Sequence, residues 1–144
     1  MSVDAYTHLL DTNIVSDLVR HPQGAAAARL ALVDPARVCT SLIVVSELRY
    51  GVAKKGSQRL ARQLEQVLAG LDILSYASPA DFHYGRIRAA LQSAGRTIGA
   101  NDLLIAAHAL ALDAILVTDN EGEFVRVPGL QVENWLRTPP LHSA

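Results

Sequence analysis

A chain of 144 residues that is 50% hydrophobic and 19% charged can bury a core of its own, which excludes a disordered tail or a solvated linker. Its formal charge of −1 excludes a general positive field that would coat nucleic acid, though a local basic rim can coexist with a neutral total. The single cysteine, Cys39, excludes an internal disulfide and a cysteine-built zinc site. Residues 1–8 carry Asp4 and no basic segment ahead of an apolar one, so no signal peptide is read there. The apolar run 103–112 is broken by His108 and is too short to cross a bilayer. The chain reads as one soluble cytoplasmic domain over residues 1–144, with no membrane contact.

No internal repeat or low-complexity segment is present. What recurs is a short apolar run followed by a helical stretch. Residues 6–10 predict a first strand that ends at Asp11. Ile14 and Leu18, with Val15 and Val19, then recur at helical spacing until His21-Pro22 stops the helix. Residues 23–33 are alanine-rich and predict a second helix; Asp34-Pro35 turns the chain into a second strand, 37–40. Ser41 is placed to cap a helix running to about Lys54, with Gly56 beyond it. Residues 57–68 predict another amphipathic helix, closed by Gly70, and 71–76 a third strand. Ser78-Pro79-Ala80-Asp81 supplies a cap, a proline at the first helical position and an acid in the first turn. That helix ends near Ala94-Gly95. A loop over 96–100 leads into a helix of about 101–112, then a fourth strand, 114–118, and a fifth at the edge, 130–133. This alternation predicts an α/β domain, its central parallel sheet of four to five strands covered by helices on both faces.

In open parallel sheets ligands bind at the carboxyl ends of the strands. Asp11 follows the first strand there, and Asp119 the fourth. Glu47 lies inside the apolar stretch Leu42-Ile43-Val44-Val45-Ser46-Glu47-Leu48, where a carboxylate needs a partner. Asp102 opens the apolar helix Leu103-Leu104-Ile105-Ala106-Ala107. Each has a bland explanation alone: Asp11 and Asp119 as turn residues, Asp102 as a helix-dipole partner, Glu47 on a wet face. Together they make a cluster whose repulsion calls for a positive partner. With no cysteine ligands and no histidine pair at metal-binding spacing, all-oxygen donors point to Mg²⁺, with Mn²⁺ as substitute. Such a site suits attack of water on a phosphodiester.

Leu9-Leu10-Asp11-Thr12-Asn13, Ser46-Glu47-Leu48-Arg49-Tyr50-Gly51, Ile98-Gly99-Ala100-Asn101-Asp102 with the apolar run to His108, and Leu116-Val117-Thr118-Asp119-Asn120 occur in that order. Together with Val127-Pro128-Gly129-Leu130 and Glu133-Asn134-Trp135 they resemble the PIN-domain family, and within it the VapC-type ribonuclease toxins. The resemblance spans nearly the whole chain. It implies a three-layer fold and a magnesium-dependent endoribonuclease acting on RNA, with tRNA or another structured loop as target. It also implies a homodimer and inhibition by a cognate VapB-type antitoxin. Carried over by position, Asp11 and Asp102 match the principal metal ligands and Glu47 a further ligand or supporting glutamate. Asp119 or Glu123, the latter before Phe124, would be the fourth acid, directly or through water; Asp119 is ranked first because the sheet holds its backbone. Thr12, Asn13, Ser46 and Thr118 match small polar positions that support the acids or a phosphate.

Other readings fit less well. A haloacid dehalogenase-type phosphatase needs a second acid where Asn13 stands and a later lysine, yet the only lysines are Lys54 and Lys55. A phosphate-binding loop fails at Gly51–Ser57, where Ser57 replaces the lysine. A receiver domain lacks its paired acids, and a catalytically inactive PIN-like module that only binds RNA or a partner stays as the alternative. His108 reads as a packed histidine, Cys39 as core, and Trp135 as the side chain that seals the last segment. With Asp11, Glu47, Asp102 and Asp119 set aside, 13 basic residues face 10 acidic ones. Arg49, Lys54, Lys55, Arg86, Arg88 and Arg96 are the candidates for a rim that grips RNA phosphates.

Overall fold

The computed structural model describes residues 5–137; the opening residues read for a leader, through Asp4, lie outside them. Among the described residues no helix is long and apolar enough to cross a membrane. Five strands form one sheet: β1 (His8–Leu10), β2 (Val38–Ser41), β3 (Asp72–Leu74), β4 (Ile115–Val117) and β5 (Val132–Glu133). Their order is β3-β2-β1-β4-β5 and every pairing is parallel. Leu10 stands opposite both Thr40 and Val117. The residues that follow β1 and β4 therefore emerge together at the carboxyl edge of the sheet.

The helices are α1 (Thr12–Arg20), α2 (Ala25–Leu30), α3 (Leu42–Lys55), α4 (Gln58–Ala69), α5 (Ala80–Ser93), α6 (Ala100–Leu112) and α7 (Glu121–Phe124). Leu9, Leu10, Leu116 and Val117 are fully buried, as two-sided parallel strands require. In α6, Leu103, Ile105, Ala106, Ala107 and Ala109 are all buried, so it is an internal helix between its neighbours rather than a surface one. Ser41 caps α3, accepting from the Ile43 N–H at 3.1 Å, and Gly56 ends that helix at φ 67°, a left-handed conformation glycine adopts without strain. Trp135 is 1% exposed and closes the last segment onto the core.

Several boundaries differ from those predicted. β1, β3, β4 and β5 are shorter than predicted, and β2 is shifted by one residue to Val38–Ser41. The helix read over 23–33 is only Ala25–Leu30, since Gly24 stands at its start and a turn through Val33 prepares Asp34-Pro35. Ser78 does not cap α5. The helix begins at Ala80, whose N–H is already taken by the Ala77 carbonyl at 3.0 Å, and Pro79 occupies the cap position instead of the first helical one.

Candidate active site

Four carboxylates from four elements interact at the carboxyl edge of the sheet: Asp11 before α1, Glu47 in α3, Asp102 in the first turn of α6 and Glu123 in α7. Asp11 is 4% exposed. Its N–H donates to the Val117 carbonyl at 2.9 Å, extending the β1–β4 ladder by one residue. Its Oδ2 accepts the Thr118 hydroxyl at 2.7 Å. Burial raises the Asp11 pKa above 3.8; the Thr118 hydroxyl and Thr12 N–H pull it down, while Glu47 and Glu123 push it up.

Glu47 is held at both oxygens. The Thr12 hydroxyl donates to Oε1 at 2.6 Å and the Asn101 amide to Oε2 at 3.1 Å. Asp102 is the most perturbed of the group, pushed up to about 8. Burial is the main cause, followed by a hydrogen bond to Glu123 and the charges of Glu123, Asp11 and Glu47. A carboxyl raised this far beside a second one shares a proton with that neighbour. Gly99 helps to make the space, since a Cβ there would stand 3.3 Å from Asp102 Oδ2.

Among the described residues no group of three or more histidine, cysteine, aspartate or glutamate side chains is drawn close enough to hold an ion. The physical reason is visible in the contacts: Asp11 and Glu47 are turned onto hydroxyl and amide donors, and Asp102 onto Glu123. The chemistry of the donor set nevertheless fits a hard divalent cation, since it is all oxygen, buried on one side and anionic.

The structure turns the two candidates for the fourth acid to different partners. Asp119 N–H donates to Asn13 Oδ1 at 2.9 Å, and its carboxylate accepts from Asn134 at 3.0 Å. It therefore faces the β5 side, whereas Glu123 meets Asp102. The sheet fixes the Asp119 backbone as expected, but successive residues past a strand point to opposite sides. Thr118 rather than Asp119 turns inward. Of the supporting positions, Thr12 and Thr118 bond the acids, and Asn13 braces the turn after β4. Ser46 bonds the Leu42 carbonyl at 2.8 Å and stays on its own helix.

The basic candidates are scattered. Arg49 is paired with Glu65, and on a helix it lies on the side of α3 away from Glu47. Arg86 and Arg88 are engaged with His83 and Tyr84 on α5, the latter at 2.9 Å, and Arg96 is exposed. Lys55 and Arg20 border a cavity of about 180 Å³ between α1, α3 and α4 that Thr12 and Glu47 also line. Lys54 lies over the Tyr50 ring. His108 is buried beside Ser41, 2.9 Å away, and burial lowers its pKa. Cys39, buried in β2, has its thiol pushed up to about 12, outside any nucleophilic range. Sequence reasoning assigned no role to Asn101; its signal is its place beside Asp102 in a first turn, where neighbours point about 100° apart and reach different partners.

The PIN domain profile matches residues 8–130. Ribonuclease VapC2 of Rickettsia felis is 41% identical over 130 residues, which is 89% of this chain and 97% of that protein. The tRNA(fMet)-specific endonuclease VapC of Shigella flexneri is 36% identical over 128 residues, 88% of this chain and 96% of that one. The solved structure of VapBC2 from Rickettsia felis bound to a promoter DNA fragment superposes with a TM-score of 0.82 at 37% identity, over 90% of this chain and 98% of that chain. Matches of this extent, over a sheet with this order and these acids at its carboxyl edge, place the chain in the PIN-domain family, within its VapC group.

Proposed function

We propose that this chain is a divalent-metal-dependent endoribonuclease toxin, neutralised by a VapB-type antitoxin, and that residues 1–144 act as one PIN domain in a cytoplasmic homodimer. One observation carries the reading: carboxylates from four separate elements lie within electrostatic reach of one another at the carboxyl edge of a parallel sheet. Asp11 and Asp102 would hold the ion, with Glu47 and Glu123 reaching it directly or through water. When bound, Mg²⁺ or Mn²⁺ supplies a Lewis acid for the phosphate and a water of lowered pKa.

The protein's own groups prepare that chemistry. Thr118 and Thr12 each bond one carboxylate oxygen, of Asp11 and Glu47 respectively, and so limit the orientations the two acids can take. Asp102 must release its proton before it can ligate a cation, which makes ion binding tighter as pH rises. Asn101 and Thr12 hold Glu47 between α6 and α1. RNA then binds across an acidic centre with cations at its edges.

Initiator tRNA is the substrate to test first, because relatives from Shigella and Salmonella are named as tRNA(fMet)-specific endonucleases. The antitoxin-free protein should cut it in Mg²⁺ and fall silent in excess chelator, and Asp11→Asn and Asp102→Asn should abolish cutting. Full cleavage in chelator overturns the metal site. Tight RNA binding with no cleavage under any divalent cation favours the inactive binding module.

A further inference from the structure

Four carboxylates repel a polyanion, so the phosphates beside the cleaved bond must be held by cations and the bases by something other than charge. Helix α3 presents both next to Glu47. At about 100° and 1.5 Å per residue, Tyr50 lies about 60° to one side of Glu47 and one turn on, and Lys54 stands another turn along the same side. Tyr50 is 67% exposed, an unfavourable place for a large ring with no partner. The Lys54 ammonium is 6.0 Å from the ring centroid, and among the described residues no ion pair claims it. Arg49, between Glu47 and Tyr50 in sequence, is turned away and neutralised by Glu65. The face that carries Glu47 thus keeps an exposed aromatic ring and, about one nucleotide from its centroid, an ammonium that no ion pair among the described residues claims.

We propose that Tyr50 and Lys54 form a nucleotide subsite: a base next to the cleaved phosphate stacks on the Tyr50 ring, and the adjoining phosphate meets the Lys54 ammonium. The assignment rests on the ribonuclease reading above. Stacking tolerates any base, so the subsite contributes grip and register rather than sequence choice.

The test uses short single-stranded RNAs carrying 2-aminopurine at successive positions, titrated with the metal-free full chain so that binding is read apart from cleavage. Wild type and Tyr50→Phe should quench one position. Tyr50→Leu, which keeps volume and loses the π-face, should abolish that quench and weaken binding roughly tenfold. Lys54→Gln should flatten the slope of log affinity against log salt by about 0.7. With initiator tRNA and Mg²⁺, Tyr50→Leu should raise KM while kcat stays within about twofold, the pattern of a binding contact. Tyr50→Leu binding and quenching like wild type overturns the subsite. So does a sedimentation result in which Tyr50→Leu turns a dimer into a monomer, because the ring then belongs to an interface. If wild type cuts no RNA but the Tyr50-dependent quench is present, the ribonuclease reading falls and the subsite stands.

Discussion

Asp102→Asn exposes the electrostatic cost of the acid cluster. The Asp102 carboxyl moves from 3.8 to about 8 in the folded chain, so between those values the native state binds more protons than the unfolded state. Stability then falls as pH rises, beginning near the unfolded value and reaching its full loss only above 8. Four units at about 1.36 kcal/mol each set a ceiling of roughly 6 kcal/mol. The carboxyl is only half-buried and shares its proton with Glu123, so solvent screening reduces the loss to about 2 kcal/mol. For a chain of this length that is about 6 °C in Tm. Calorimetry in chelator from pH 5 to 9 should show the wild type losing this much relative to Asp102→Asn, whose amide does not titrate. Groups outside the acid cluster titrate alike in both proteins and cancel in the difference. Added Mg²⁺ at the upper end should restore the wild type and leave the variant nearly unchanged, since an ion that binds only the folded form stabilises it. Parallel curves for the two proteins would refute the reasoning, for Asp102 would then ionise as an ordinary surface carboxylate.

Thr118→Val should lower stability by about 1–3 kcal/mol, because the buried Asp11 carboxylate loses its 2.7 Å donor. The acid limb of its pH–rate profile should move upward as the Asp11 pKa rises further. Glu123→Gln should reduce cleavage more than Asp119→Asn, since Glu123 faces Asp102 and Asp119 faces Asn134; kinetics on initiator tRNA in Mg²⁺ decides the order. Gly51→Ala should raise Tm by about 3 °C, as a Cβ there meets nothing within 4 Å and alanine gains about 1 kcal/mol over glycine inside a helix.

The alternation of apolar runs with helical stretches determined the α/β class, and the order of elements could be read along the chain. Ser41 and Gly56 marked the ends of α3 because caps and left-handed glycines act within a few residues. Asp11, Glu47 and Asp102 could be singled out as candidates for a similar local reason: each is a carboxylate in a setting that local structure does not explain. Only the tertiary structure shows that Asp119 and Glu123 face different partners. Both follow β4 at short range, and which one turns toward Asp102 depends on the pleat of a finished strand and on Asn13, 106 residues away from Asp119. The same holds for Asn101 on Glu47 and Thr118 on Asp11, pairs 54 and 107 residues apart. Likewise Arg49 reads as a free cation in the chain and becomes Glu65's partner once α3 and α4 pack. Local propensity and hydrophobic period act over a few residues, whereas the proton on Asp102 is set by charges that only folding brings together.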